Sequence, residues 1–177
     1  MINCVLNYNV HTPTQRLQLE CHGVGSYDVQ TGLLPHVNDP NCSFLADSAI
    51  PVGQYWIIDR PAGSLLNRAR AEIIDAWHLY RNHHADWFAL YNARTMSDIT
   101  FVNNYSRGGL RLHPLNSDGS GVSKGCVTLY NYYDFYHLRA ELLKTKKIHI
   151  LGPGGKTLEA YGKINVIRNP DFSKCLR

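Results

Sequence analysis

Short runs of alternating apolar and polar residues follow one another along the chain, separated by turn residues. This alternation is typical of half-buried β-strands. The first two runs, 5–10 and 17–21, flank a turn-rich segment and predict a β-hairpin. Further strands are predicted over 50–58, 87–91, 99–102, 110–113, 126–130, 147–151 and 160–167.

Two other segments, 64–81 and 132–144, carry apolar residues at spacings of three and four, which predicts amphipathic helices. Residues 23–49 are rich in Gly, Asp, Asn and Pro and predict a loop. A loop of that length is unusual unless it is functional or cross-linked, and Cys42 within it favours a cross-link. Because no repeat or linker is visible, residues 1–177 are predicted to form a single domain, mostly β with two flanking helices.

The charge pattern argues against two classes of partner. The 177 residues carry a net charge of +4, and only 18% are charged, below the roughly 25% usual in soluble domains. Lys and Arg are scattered, so no nucleic-acid-binding stripe is predicted. No apolar run approaches the roughly 18 residues of a membrane span. The first residues lack the basic and apolar regions of a Sec signal, so we expect no Sec-dependent export.

Chemically active side chains flank the Gly- and Ser-rich segment between two predicted strands. Because side chains alternate along a strand, Arg111 and His113 share one face, and Cys126 and Thr128 share another. If the two strands are neighbours, an imidazole and a thiol meet at the mouth of the sheet. The thiolate is then a nucleophile, and the histidine passes a proton to the leaving amine. Gly125 lets the backbone approach a substrate closely.

The residues alone leave open a non-catalytic alternative, in which a buried cysteine and an unrelated histidine have only structural roles. A metal site at His113 and Cys126 needs two more ligands, and no spacing among the other histidines supports one. We therefore predict no metal and no other cofactor.

One sequence motif resembles the active-site signature of the L,D-transpeptidase (YkuD-like) catalytic domain. That signature is a His, a loop, and then Ser-x-Gly-Cys followed by Ile or Val. It matches His113-Pro114, eight further residues, and Ser123-Lys124-Gly125-Cys126-Val127-Thr128. Segments 50–57, 87–91, 100–102 and 107–114 also resemble the peptidoglycan-targeting L,D-transpeptidase effectors of bacterial type VI secretion. Together these pieces form a motif-bearing core at about residues 50–130.

The resemblance implies an L,D-transpeptidase-like β-sandwich or flattened barrel and assigns catalytic roles. Cys126 would be the acylated nucleophile and His113 the general base. Ser123 would shape the loop that presents the cysteine, and Gly125 and Cys126 would contribute oxyanion donors.

The substrate-binding residues follow less directly, because this chain departs from the commonest transpeptidases. It has Pro114 where they have Gly, Lys124 where they have a second His, and Thr128 where they have Arg or Asn. Because Thr128 takes the place of that Arg or Asn, we assign it to substrate binding. Arg111 is our candidate for holding the substrate carboxylate, with Arg107 as the other candidate.

The activity implied by the resemblance is acyl transfer on peptidoglycan stem peptides in the periplasm of a rival cell. A thioester on Cys126 would pass to water or to an amine. The implied partners are a cognate immunity protein and a component of the secretion system, and the missing Sec signal fits that route. The alternative is a catalytically inactive peptidoglycan-binding module.

The chain has five cysteines, which allow disulfides: Cys4, Cys21, Cys42, Cys126 and Cys175. With Cys126 as the nucleophile, the other four allow three pairings. Cys4 and Cys21 lie in the two arms of the predicted hairpin, which favours their pairing and leaves Cys42 with Cys175. The competing possibility is that all five stay reduced, as in a cytosolic protein.

Overall fold

The computed structural model describes residues 1–11, 16–60, 84–115 and 124–175. These ranges contain eleven strands and one α-helix. They are β1 (Ile2–His11), β2 (Leu17–Cys21), β3 (Gly25–Thr31), β4 (Gly53–Asp59), β5 (Phe88–Asn92), β6 (Ile99–Val102), β7 (Tyr105–Gly108), β8 (Arg111–Pro114), β9 (Val127–Leu129), α1 (Tyr132–Lys144), β10 (Ile148–Leu151) and β11 (Thr157–Ile167).

Eight strands close into a barrel. Their order is β1-β2-β3-β9-β8-β5-β4-β11, and β11 pairs back with β1 to complete the ring. The β8–β9 and β1–β11 pairs are parallel, whereas the other neighbours in the ring are antiparallel. Strand β10 adds to β11 outside the ring, and β6 and β7 form a separate hairpin. Closure leaves the ring without an open edge.

This architecture corrects the predicted fold class. The prediction of an L,D-transpeptidase-like β-sandwich or flattened barrel is wrong in its sandwich form, because the parallel β1–β11 pair closes the sheet on itself. Of the two predicted flanking helices, the described residues contain one, α1. The other, 64–81, lies outside the described residues, as does most of the predicted turn at 11–14.

The predicted loop over 23–49 contains a strand that the sequence analysis missed. In β3, the side chains of Tyr27, Val29 and Thr31 alternate into the barrel and are buried. The strand pairs with β2 on one side and with β9 on the other. Polar residues between these positions hid the alternation, because they face outward and resemble a loop in composition.

The barrel strands enclose the hydrophobic core, and α1 contributes apolar side chains to it. Phe135, Leu138 and Leu142 are the buried residues of this helix. Asn131 caps the first turn by accepting from the backbone N–H of Tyr133. The helix has the bounds that its apolar spacing predicts. Within the described ranges, no helix is long and apolar enough to cross a membrane.

Two disulfides cross-link the fold, and the predicted pairing is confirmed. Cys4 and Cys21 lie directly opposite each other on β1 and β2 and are bonded. Cys42 in the 32–49 segment is bonded to Cys175 near the chain end, 133 residues away. Cys126 is buried and is not part of a disulfide.

Candidate active site

The parallel pairing of β8 with β9 brings together the residues predicted for catalysis. In this register His113 lies opposite Thr128, and Leu112 lies opposite Val127. Cys126 comes two residues before Thr128 and therefore faces the same side as Thr128 and His113. The two short strands are therefore neighbours, which is the condition that the sequence analysis set for bringing the imidazole and the thiol together.

The Cys126 sulfur contacts two backbone groups at the start of β8. The N–H of Arg111 donates to Sγ at 3.2 Å, and the thiol donates to the carbonyl of Gly109 at 3.8 Å. The first contact favours the thiolate, because a hydrogen bond to a charged form stabilises that form. The second contact stabilises the protonated thiol, because the thiol is its donor. Cys126 is only 4% exposed, so both bonds are sheltered from bulk water.

The His113 ring is held at both nitrogens and on one face. Nδ1 lies 2.8 Å from the carbonyl of Pro114, and Nε2 lies 3.2 Å from the hydroxyl of Thr128. Because a carbonyl only accepts, Nδ1 carries the proton, which leaves Nε2 as the basic nitrogen of the neutral ring. The indole of Trp87 stacks on the imidazole with centroids 4.2 Å apart and an angle of 18°. The aromatic face favours a positively charged ring.

Arg111 forms a two-pronged ion pair with Asp98. Its Nη1 lies 2.8 Å from Oδ1 and its Nη2 lies 3.0 Å from Oδ2. Burial lowers the pKa of Arg111, but the hydrogen bonds and charge of Asp98 outweigh burial and raise the pKa overall. The guanidinium is therefore a fixed cation with a carboxylate partner, on the residue whose backbone N–H contacts the thiol. Its substrate role stays a prediction.

The side chain of Arg107, on β7, packs against Gly125, the residue immediately before Cys126. The Arg107 side chain is buried and donates to backbone carbonyls, among them that of Lys124 at 3.3 Å. Gly125 has a φ of +94°, in the region that favours glycine. A Cβ on Gly125 would overlap Nη2 of Arg107 and lie 2.9 Å from the carbonyl oxygen of Ser48, so a side chain here would displace its neighbours. The substrate roles predicted for Arg107 and Thr128 stay predictions, and both side chains are buried.

Several contributors to the site were missed by the sequence analysis. Asp98 gave no signal, because it lies at no fixed spacing from His113 or Cys126, and Trp87 was noted as part of segment 87–91 without a role at the site. Thr31 contacts the site from β3, where its hydroxyl lies 3.5 Å from the carbonyl of Gly125. The predicted Ser123 lies outside the described residues.

The described residues also bring together one cluster of metal-ligand types, which includes neither His113 nor Cys126. A ring nitrogen of His36 lies within 4.8 Å of the sulfurs of Cys42 and Cys175. These sulfurs are bonded to each other, so they are not the thiolates that a metal ion requires.

The site as a whole brings a sheltered thiol, an oriented imidazole and two arginine side chains together around the neighbouring strands β8 and β9 of the barrel. A family model for the Tlde1 domain matches residues 25–153, more than half of the chain. The chain therefore belongs to the Tlde1 family of type VI secretion effectors. No curated protein sequence matches it.

Membership sets the biological context. Type VI effectors are delivered into target cells, and the family context implies a toxin with a cognate immunity protein. The family therefore supports the predictions of a secreted effector and of a cognate immunity protein.

Proposed function

We propose that this effector is a cysteine-dependent L,D-transpeptidase and L,D-carboxypeptidase that acts on peptidoglycan stem peptides in the periplasm of the target cell. The observation that carries the proposal is the placement of Cys126 and His113 on one face of two neighbouring parallel strands. The resemblance of the motif around them to the L,D-transpeptidase signature supplies the substrate class. The whole chain, 1–177, is proposed to act as one domain.

In the proposed reaction, the Cys126 thiolate attacks the carbonyl on the L-centre of meso-diaminopimelate at position three. A carbon–sulfur bond forms, and the peptide bond to D-Ala breaks as protonated His113 gives its proton to the leaving amine. Water or the amine of a D-amino acid then attacks the thioester. His113 Nε2 takes a proton from that attacking group, and the thiolate leaves.

Three features of the site support this chemistry. The Pro114 carbonyl holds Nδ1 protonated, so Nε2 is the nitrogen that exchanges protons. The Arg111 N–H bond to Sγ favours the thiolate. The guanidinium groups of Arg107 and Arg111 place positive charge near the sulfur, which favours a nucleophilic anion.

Incubation with purified muropeptides, followed by mass spectrometry, tests the proposal. We expect loss of the mass of D-Ala from tetrapeptides with the wild-type protein and no loss with Cys126→Ala. His113→Ala is expected to slow the reaction by at least about 10²-fold, as for a lost general base. Turnover by the Cys126→Ala protein at the wild-type rate would contradict the assignment.

An inactive peptidoglycan-binding module is the second candidate, and one observation favours it. In the neutral ring Nε2 of His113 already accepts from the Thr128 hydroxyl, so this hydroxyl must rotate away before Nε2 can take a proton. The same experiment separates the two candidates, because a module would bind tetrapeptide and leave its mass unchanged.

A further inference from the structure

Arg107 is a buried cation without an acidic partner in the described part of the chain. Its side chain is 3% exposed, and its contacts there are with backbone carbonyls and one hydroxyl. Burying a charge without an ion pair is costly, and the hydrogen bonds to these oxygens offset part of that cost. The negative charges that act on the guanidinium include the carboxylate of Asp47 and the thiolate of Cys126.

Two segments distant in sequence meet at this guanidinium. Nη1 donates to the carbonyls of Ser43 and Ala49 and to the hydroxyl of Ser48. Nη2 donates to the carbonyl of Ser48 at 3.0 Å and to that of Lys124 at 3.3 Å. Arg107 therefore ties segment 43–49 to the peptide that links Lys124 to Gly125.

The turn before Cys126 is built around this contact. Gly125 lies so close to Arg107 that a Cβ would overlap Nη2 and sit 2.9 Å from the carbonyl oxygen of Ser48. The peptide on the other side of Gly125 is held by Thr31, whose hydroxyl also accepts from the N–H of Ile50 at 2.7 Å. Both peptides that flank Gly125 are thus fixed, and Cys126 follows directly.

The Cys42–Cys175 disulfide anchors the far end of the same contact network. Ser43, whose carbonyl accepts from Arg107, is the next residue after Cys42. The bond to Cys175 links this carbonyl covalently to the end of the chain. The Cys4–Cys21 disulfide joins β1 to β2 and makes no part of this network.

We propose that Arg107 is the positioning residue for Cys126: it fixes the Lys124–Gly125 peptide and provides the buried positive charge that stabilises the thiolate. This inference rests on the proposed function, because it gives Cys126 the role of nucleophile. The electrostatics agree: burial lowers the pKa of Arg107, and nearby anionic groups, Cys126 among them, oppose that effect. The mutual attraction acts equally on the sulfur.

Alkylation of Cys126 by iodoacetamide measures this stabilisation without any peptidoglycan. The thiolate displaces iodide, and in the oxidised protein Cys126 is the cysteine outside the two disulfides. Rates are recorded from pH 5 to pH 10 for wild type, Arg107→Gln, Arg107→Lys and the control Arg139→Gln. Arg139 pairs with Asp86, and within the described ranges its side chain bonds to neither Arg107 nor Cys126.

We expect Arg107→Gln to move the midpoint of the alkylation profile upward by about one pH unit, a rate loss of about tenfold at neutral pH. Arg107→Lys, which keeps the charge, should recover most of the wild-type profile but turn over tetrapeptide more slowly at unchanged KM. Arg139→Gln should match wild type. A folded Arg107→Gln protein with the wild-type profile overturns the proposal.

A second comparison covers the case in which Arg107→Gln does not fold. The double variants Cys42→Ser/Cys175→Ser and Cys4→Ser/Cys21→Ser each remove one disulfide. The first should slow Cys126 alkylation at least threefold at neutral pH, and the second should leave it unchanged. Equal rates in the two variants overturn the proposal. A shifted profile in a protein that leaves tetrapeptide intact would refute the proposed function while supporting the positioning role.

Discussion

The hydroxyl of Thr128 lies 3.2 Å from Nε2 of His113, on the strand directly beside it. The Pro114 carbonyl already fixes the proton on Nδ1, so the hydroxyl donates to Nε2 in the neutral ring. Once the ring is protonated, the same hydroxyl can rotate and accept. Thr128 therefore holds the imidazole in place through both charge states.

Removing that hydroxyl tests its contribution. We expect Thr128→Val to lower kcat/KM for tetrapeptide by about 3- to 10-fold, the scale of one buried hydrogen bond. Thr128→Ser should retain most of the wild-type value, because it keeps the hydroxyl. The control is Thr157→Val, since Thr157 is exposed at the start of β11. Equal kinetics for the Val and Ser variants of Thr128 would show that the hydroxyl is not used.

The ion pair between Arg111 and Asp98 makes a second prediction about substrate binding. A stem-peptide carboxylate would compete with Asp98 for the two prongs of the guanidinium. We expect Arg111→Lys to raise KM for tetrapeptide by an amount worth about 1–3 kcal/mol, because Lys does not form the two-pronged contact. Asp98→Asn should lower KM, since it weakens the competitor. The measurement is steady-state kinetics on tetrapeptide; an unchanged KM in both variants would place the carboxylate site elsewhere.

Local patterns in the sequence were enough for much of the fold. The bounds of β6 and α1 agree with the predicted ones, and the paired arms of the first hairpin placed Cys4 opposite Cys21. Alternation around His113 and Cys126 also placed both side chains on one face. Each of these features depends on residues close together in sequence.

The missed features depend on residues that are far apart. Barrel closure rests on β1 pairing in parallel with β11, with Cys4 opposite Ile164, and no local pattern encodes that contact. Strand β7 was missed because its side chains are mostly exposed, and its one buried residue, Arg107, is charged. The contacts of that arginine with Ser48 and Lys124 likewise exist only in the folded chain.

Alkaline pH should destabilise the barrel through its buried tyrosines. Burial raises the pKa of Tyr55 to about 12, and its hydroxyl donates to the carbonyl of Pro51 at 2.8 Å. The unfolded chain releases this proton near pH 10, so stability falls as pH rises from about 10 to about 12, by about 3 kcal/mol for this group. Below pH 10 the contribution is complete.

Chemical denaturation at pH 9 and pH 11 measures that effect. Tyr55→Phe should reduce the difference in unfolding free energy between the two pH values. Tyr133→Phe is the control, because Tyr133 is exposed on α1 and should leave the difference unchanged. The same pH dependence in wild type and Tyr55→Phe would assign the alkaline loss to other groups.

The two disulfides should differ in how strongly they stabilise the fold. Cys4–Cys21 spans 17 residues and Cys42–Cys175 spans 133. In the chain-entropy model, these loops correspond to about 3 and about 5 kcal/mol, because the longer link removes more freedom from the unfolded chain. We therefore expect the Cys42→Ser/Cys175→Ser variant to lose more unfolding free energy in urea than Cys4→Ser/Cys21→Ser.

Thiol titration of the denatured, oxidised wild-type protein, done before this comparison, should give one reactive thiol per chain. Five reactive thiols would show that the disulfides do not form, and an equal loss in both variants would contradict the loop-length argument.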